Sequence, residues 1–173
     1  MNYEVTQKEY ALSMREFTET CVDVPKFQKC CRECPQYGKN HACPPLPFDA
    51  AGFWGKYRSI RLVMRVITPQ GGTAEELLKA VEEEKIKLHR ELLAQEKKDS
   101  LCIAPGKCML CPEGCNREKG EKCRGKCRHS LEALGADVGK AAELFFGTKL
   151  LWVQDGKMPE YMLVMGALAE DKR

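Results

Sequence analysis

Residues Ser59–Lys98 read SIRLVMRVITPQGGTAEELLKAVEEEKIKLHRELLAQEKK. Two hydrophobic periods meet in this stretch, and their junction decides the fold. Ser59–Ile67 is an apolar run carrying arginines. Tyr-Arg precedes it and Pro-Gln-Gly-Gly follows it, which marks a strand. From Thr73 the spacing changes. Leu77, Leu78, Val81, Leu88 and Leu92 make one apolar stripe of a helix, and charged residues fill the remainder. Thr73 and Glu76 stand at the capping-box spacing that opens a helix. Glu82–Glu84 on this helix read as a solvated face. Ser100–Ala104, SLCIA, then reads as a short strand.

Working outward, residues 1–20 read as a short amphipathic helix, with Tyr10, Met14 and Phe17 at helical spacing. Asp49–Tyr57 reads as a short helix or turn. Ser130–Leu134 reads as a helical turn closed by Gly135, and VGKAAELFF as a short helix ending at Gly147. TKLLWVQ and EYMLVMGAL read as the two strands of a hairpin across Asp155–Gly156–Lys157. The expected fold class is α+β (or α/β). It has about four strands, one long amphipathic helix and two cysteine-rich loops at one end. Those loops lie within 21–48 and 102–128, and residues 1–173 are expected to form a single domain. A chain of 173 residues can bury a core without covalent staples.

Charge excludes several partners. Lys plus Arg is 28 and Asp plus Glu is 25, a balance that makes no case for nucleic acid or a membrane surface. No apolar run approaches the roughly 20 residues of a membrane helix. The N-terminus carries early acids and no apolar core segment, so it does not read as a secretory signal. The expected compartment is the cytoplasm, where thiols stay reduced. Eleven cysteines is an odd number, and a complete disulfide framework would leave one over. Reduced cysteines packed this densely point to metal.

The second cysteine segment is CMLCPEGCNREKGEKC, Cys108–Cys123. Cys108 and Cys111 form a tight pair, Cys115 follows three residues on and Cys123 seven after that. Zinc ribbons carry two well-separated Cys-x2-Cys knuckles. Three cysteines within eight residues are closer to the compact run of ferredoxins. Cys127 is a candidate substitute ligand. Around them lie Arg117, Lys119, Lys122, Arg124, Lys126 and Arg128, which read as a solvated loop, as charge compensation for an anionic site, or as a dock for an acidic redox partner. No aromatic residue lies among them to stack bases. The first segment holds Cys31, Cys34 and Cys43, with Cys30, Cys21, His41 or a cysteine of the second segment as the open fourth position. Cys21 and Cys102 flank apolar stretches and read as buried hydrophobes.

Together, CRECPQYGKNHACPP and GKCMLCPEGCNREKGEKCR…SLEALGADV resemble the prokaryotic cysteine-rich family called "predicted metal-binding protein", over roughly residues 20–168. The resemblance implies Cys31, Cys34 and Cys43 in one segment and Cys108, Cys111, Cys115 and Cys123 in the other as metal ligands. Tyr37, Gly38, Pro44, Pro45, Gly106, Ser130, Glu132 and Gly135 also sit where that pattern has them. The chain departs from it at His41, where an aromatic is expected, and at GKCRHS, which brings in Cys127.

Three functions are open at this level. One is a redox protein with one or two iron–sulfur clusters, 4Fe–4S by preference. A second is a structural or interaction module clamped by zinc. The third is an enzyme whose three-cysteine set, Cys31, Cys34 and Cys43, leaves one iron open. No phosphate-binding glycine loop and no Ser, His and Asp set can be placed from spacing. His89 and His129 have no evident partner in sequence, though His129 lies beside the second cluster.

Overall fold

The computed structural model describes residues 1–125 and 127–172. Its frame is a four-stranded antiparallel sheet in the order β1-β2-β4-β3. The strands are β1 (Tyr3–Ser13), β2 (Ser59–Pro69), β3 (Leu101–Ile103) and β4 (Met162–Glu170). The helices are α1 (Met14–Cys21), α2 (Val24–Arg32), α3 (Ala50–Trp54), α4 (Ala74–Gln95) and α5 (Val138–Phe146). The α+β class and the count of four strands agree with the sequence reading.

The strand–helix–strand unit forms as its periods require. Thr73 caps α4 in a full capping box with Glu76. Leu77, Val81, Leu88 and Leu92 of α4 pack on one face of the sheet, against Val63, Ile67, Cys102, Met162, Val164 and Leu168. On the opposite face Leu62, Met64, Leu163, Met165, Ala167 and Ala169 meet Phe17, Phe53, Trp54, Leu131 and Leu134. Alternate residues of β4 thus serve two cores, and eight of its nine residues are buried. The arginines of β2 fall on the α4 face. Arg65 bonds Glu84 at 3.0 Å, and also Gln7 and Glu91. Arg61 bonds Glu9 and Gln95.

Glu84 therefore corrects the reading of Glu82–Glu84 as solvated. It is 4 % exposed. Burial opposes its charge, but Lys87, Arg65 and Tyr3 outweigh burial and hold its pKa below the usual carboxylate range. Removing one member of such a buried pair strands the other charge, at about 3–5 kcal/mol.

Three elements differ from expectation. The N-terminus is a strand for eleven residues and becomes helical only at Met14, where Ser13 accepts from the Glu16 amide. The inward side of β1 hid it. Tyr3, Gln7 and Glu9 meet Glu84, Arg65 and Arg61 there, so the strand has no apolar alternation to read. The expected C-terminal hairpin is also absent. EYMLVMGAL supplies β4, which pairs with β2 along its whole length and with β3 at Ala167–Ala169, whereas TKLLWVQ forms no strand. Only an isolated bridge, Gln154 to Lys157, closes the Asp155–Gly156 turn.

The first cysteine segment is not loop throughout, since α2 carries Cys30 and Cys31. Pro25 lies in the first turn of α2, where its missing N–H leaves no broken bond, and Asp23 caps the Lys26 amide. A seam ties this segment to the turn at 130–135. The Asp23 amide donates to the Gly135 carbonyl at 2.8 Å, and the Asp137 amide to the Cys21 carbonyl at 2.7 Å. Gly135 has φ +89°, and a Cβ there would lie 2.6 Å from Val24 Cγ2. Gly135→Ala is expected to destabilise the fold by at least about 1–3 kcal/mol, read as a lower denaturant midpoint at unchanged slope.

His89 adds a pH term. It is 2 % exposed and its Nε2 has no hydrogen-bond partner. Burial, with Arg128 nearby, pushes its pKa from 6.5 down to about 4. The folded state therefore holds His89 neutral while the unfolded chain takes up a proton. Stability from this residue is complete above the unfolded value and is lost as pH falls from about 6.5 to about 4. His89→Leu should remove that part of the acid sensitivity, seen as a flatter stability–pH curve across this window.

Candidate metal centre

The second cysteine segment leaves β3 through Pro105–Gly106 and is pinched at its base. The Ala104 amide donates to the His129 carbonyl at 2.8 Å, and Ala104 bridges Ser130. The first segment leaves α2 and returns at α3, whose Trp54 Nε1 donates to the Leu134 carbonyl at 3.0 Å. Both segments therefore emerge beside the same turn, and polar side chains bind them together. Asn40, only 4 % exposed, donates to the Cys108 carbonyl and accepts from the Ala42 amide. Arg117 reaches back to the carbonyls of Asn40, Cys43 and Pro45 at 2.6–2.8 Å. His129 Nδ1 lies 3.0 Å from the Ala42 carbonyl oxygen.

This packing sorts the cysteines into two adjoining cavities. A cavity of about 470 Å³ is lined by Cys108, Cys111, Cys115, Cys123 and Cys127. A second, of about 510 Å³, is lined by Cys30, Cys31, Cys34 and Cys43. Gln36 and Lys107 border both. The other two cysteines, Cys21 and Cys102, are core residues at 2 % and 1 % exposure. All eleven thiols are free.

The thiols in each cavity feel one another. Burial pushes Cys31 up to about 11, with Glu132, Cys34 and Cys30 adding to the shift. Burial pushes Cys43 up to about 12; Cys34, Cys31 and Cys115 add to this and Arg117 opposes it. In the other cavity burial raises Cys127 to about 12, with Cys108, Cys123 and Cys115 contributing and Arg128 opposing. Cys108 is raised by burial, against which the Leu110 amide acts. Charging one thiol thus penalises the next, and a multivalent cation reverses that penalty. Two sulfurs already receive amide donors. His41 N–H points at Cys115 Sγ at 3.3 Å and Gln36 N–H at Cys34 Sγ at 3.5 Å. Such N–H···S contacts stabilise a metal-bound thiolate. The donor chemistry fits a soft metal or cluster. Among the described residues no three His, Cys, Asp or Glu side chains converge tightly enough to hold a single ion as they stand.

The remaining candidates fall differently. His41 borders the larger cysteine set but its Nε2 lies 2.9 Å from the Glu121 carbonyl oxygen, a strut between the loops. Cys30 is exposed on α2. Of the basic run, Arg117 clamps the first loop, Arg124 pairs with Glu121 and Glu113, and Arg128 pairs with Glu96. Lys126 lies outside the described residues. Sequence reasoning missed Asn40, Arg117 as a clamp, and Glu132 as a cavity wall. Asn40 sits inside a turn-like GKN and Arg117 inside a charged run, so neither position signals burial.

The chain belongs to the family described as Predicted metal-binding protein (DUF2284), which it matches over residues 17–166. No curated protein and no solved structure matches it. Among the described residues no helix is long and apolar enough to cross a membrane.

The clamp is testable without metal. Arg117→Ala removes three charge-assisted bonds to carbonyls, each of the kind that contributes about 1.5–3 kcal/mol. Amide protection at Ala42 and Cys43 should fall in hydrogen exchange while protection in β2 and β4 stays unchanged.

Proposed function

We propose that the two cavities hold iron–sulfur clusters and that the chain passes single electrons to a partner protein. The observation that carries this reading is the partition of nine cysteines between two cavities with a shared wall. Cys43 and Cys115, from different cavities, are near enough to influence each other's charge. A bound iron–sulfur cluster supplies one-electron redox chemistry. The chain's own residues do the rest. Five thiols and four thiols offer soft ligands, and the His41 and Gln36 amides stabilise negative charge on sulfur. Arg117 offsets charge at Cys43 while fixing the distance between the loops.

Among the described residues, the exposed lysines left in the second segment, Lys119 and Lys122, supply the surface for an acidic redox partner. The three arginines are engaged internally, so this surface is smaller than the whole basic run. Docking through it weakens with salt, because exposed charges are screened within about 10 Å at 0.1 M ionic strength.

Protein purified without oxygen should contain about eight iron and eight acid-labile sulfide per chain and absorb visible light broadly. Replacing Cys108 and Cys111 by Ser should halve both contents. Zinc without sulfide would overturn the reading and make the site a structural clamp.

A further inference from the structure

The first cavity poses a ligand problem. Cys31, Cys34 and Cys43 line it, and so does Cys30. Cys30 and Cys31 are consecutive in α2, and consecutive helical residues point about 100° apart, so the two thiols cannot both face one centre. Cys31 is the inward one. It is partly buried, and its Sγ lies 4.0 Å from the Glu132 carbonyl oxygen. Cys30 is exposed on the rim.

Glu132 stands opposite, in the turn that Ser130 opens by accepting from the Ala133 amide. One carboxylate oxygen of Glu132, Oε2, is buried without a hydrogen-bond partner. The cations bordering the same cavity are directed elsewhere. Lys85 donates to Glu82 at 2.7 Å, and Lys107 lies 3.8 Å from the other Glu82 oxygen. A buried acceptor left unsatisfied is costly, and in native proteins such an atom is answered by an ordered water, an ion or a functional contact. Glu132 lines the same cavity as the four thiols.

We propose that Glu132 supplies the fourth, non-cysteine ligand of the first site, alongside Cys31, Cys34 and Cys43, leaving Cys30 outside the ligand set. The assignment rests on the iron–sulfur reading above. It makes the two sites unequal, one closed by thiolates alone and one closed by a carboxylate that a stronger ligand can displace. Cys31 and Glu132 come from segments a hundred residues apart, and the seam at Gly135 brings them together.

The test uses the full chain with Cys108 and Cys111 replaced by Ser, so that only the first site loads, reconstituted with ferrous iron and sulfide. This parent should hold about four iron. Ferricyanide then removes one electron, and a cluster with one weakly held iron also releases a ferrous ion, leaving a three-iron form with its own paramagnetic spectrum. Glu132→Ala and the isosteric Glu132→Gln should each give the three-iron signal several-fold more readily than the parent. Glu132→Cys should resist, and Cys30→Ser should match the parent. Iron retention and spectra unchanged in both Glu132→Ala and Glu132→Gln would overturn the assignment, as would loss of the fourth iron in Cys30→Ser. A parent that takes up no iron and sulfide overturns the iron–sulfur reading itself, before any change at Glu132. A Glu132→Ala chain that does not fold leaves Glu132→Gln to decide, with circular dichroism as the check on fold.

Discussion

β4 is buried along both faces, paired with β2 along its whole length and with β3 at Ala167–Ala169. That constraint organises the molecule. Burial on two faces demands a layer of helix on each, which α4 provides on one side and the aromatic cluster of Phe17, Phe53 and Trp54 on the other. TKLLWVQ joins neither edge; it runs as irregular chain and packs Leu150 against the core. Gly166 shows how tight the fit is. A Cβ there would lie 2.6 Å from Leu92 and 3.0 Å from the Ile103 carbonyl, so the crossing of α4, β3 and β4 admits only hydrogen. β3 is held in that crossing, and the second cysteine segment departs from it.

The cysteine loops have little core of their own. They are held by a framework of polar bonds: Asn40 to Cys108, Arg117 to three carbonyls, His129 to Ala42, and the seam at Gly135. The first two join one cysteine segment to a backbone carbonyl of the other, and the last two tie the first segment to the chain at 129–137. Such a framework fixes where the loops meet while leaving the thiols free to reorganise around a ligand. Burial raises the thiol pKa values in both cavities, and neighbouring thiols add a penalty for accumulating negative charge. In the family to which the chain belongs, described as predicted metal-binding proteins, a metal is the natural answer to that penalty.

Local chemistry was legible wherever one face of an element was apolar. The capping box at Thr73, the β2 run, the short helix closed by Gly147 and the α4 stripe stand where their periods place them, except that Leu78 of the stripe is exposed. Cys21 and Cys102 are buried, as their apolar flanks imply. β1 was illegible because its inward face is matched to charges rather than to hydrophobes. Gln7 and Glu9 make sense only beside Arg65 and Arg61, which are more than fifty residues away. α2 was obscured by Pro25, which breaks a helix in its interior and is tolerated in its first turn.

By itself the sequence determined the α+β class, the strand–helix–strand unit and two thiol-rich segments, because periodicity and cysteine spacing are local properties. Tertiary structure alone set the two thiol sets in adjoining cavities, since that depends on how Arg117 and Asn40 draw one loop onto the other. It alone turned Glu84 inward, because its partner lies on another element. It alone brought Glu132 beside Cys31, across a hundred residues of chain, where an unpaired carboxylate oxygen acquires a meaning that no spacing encodes.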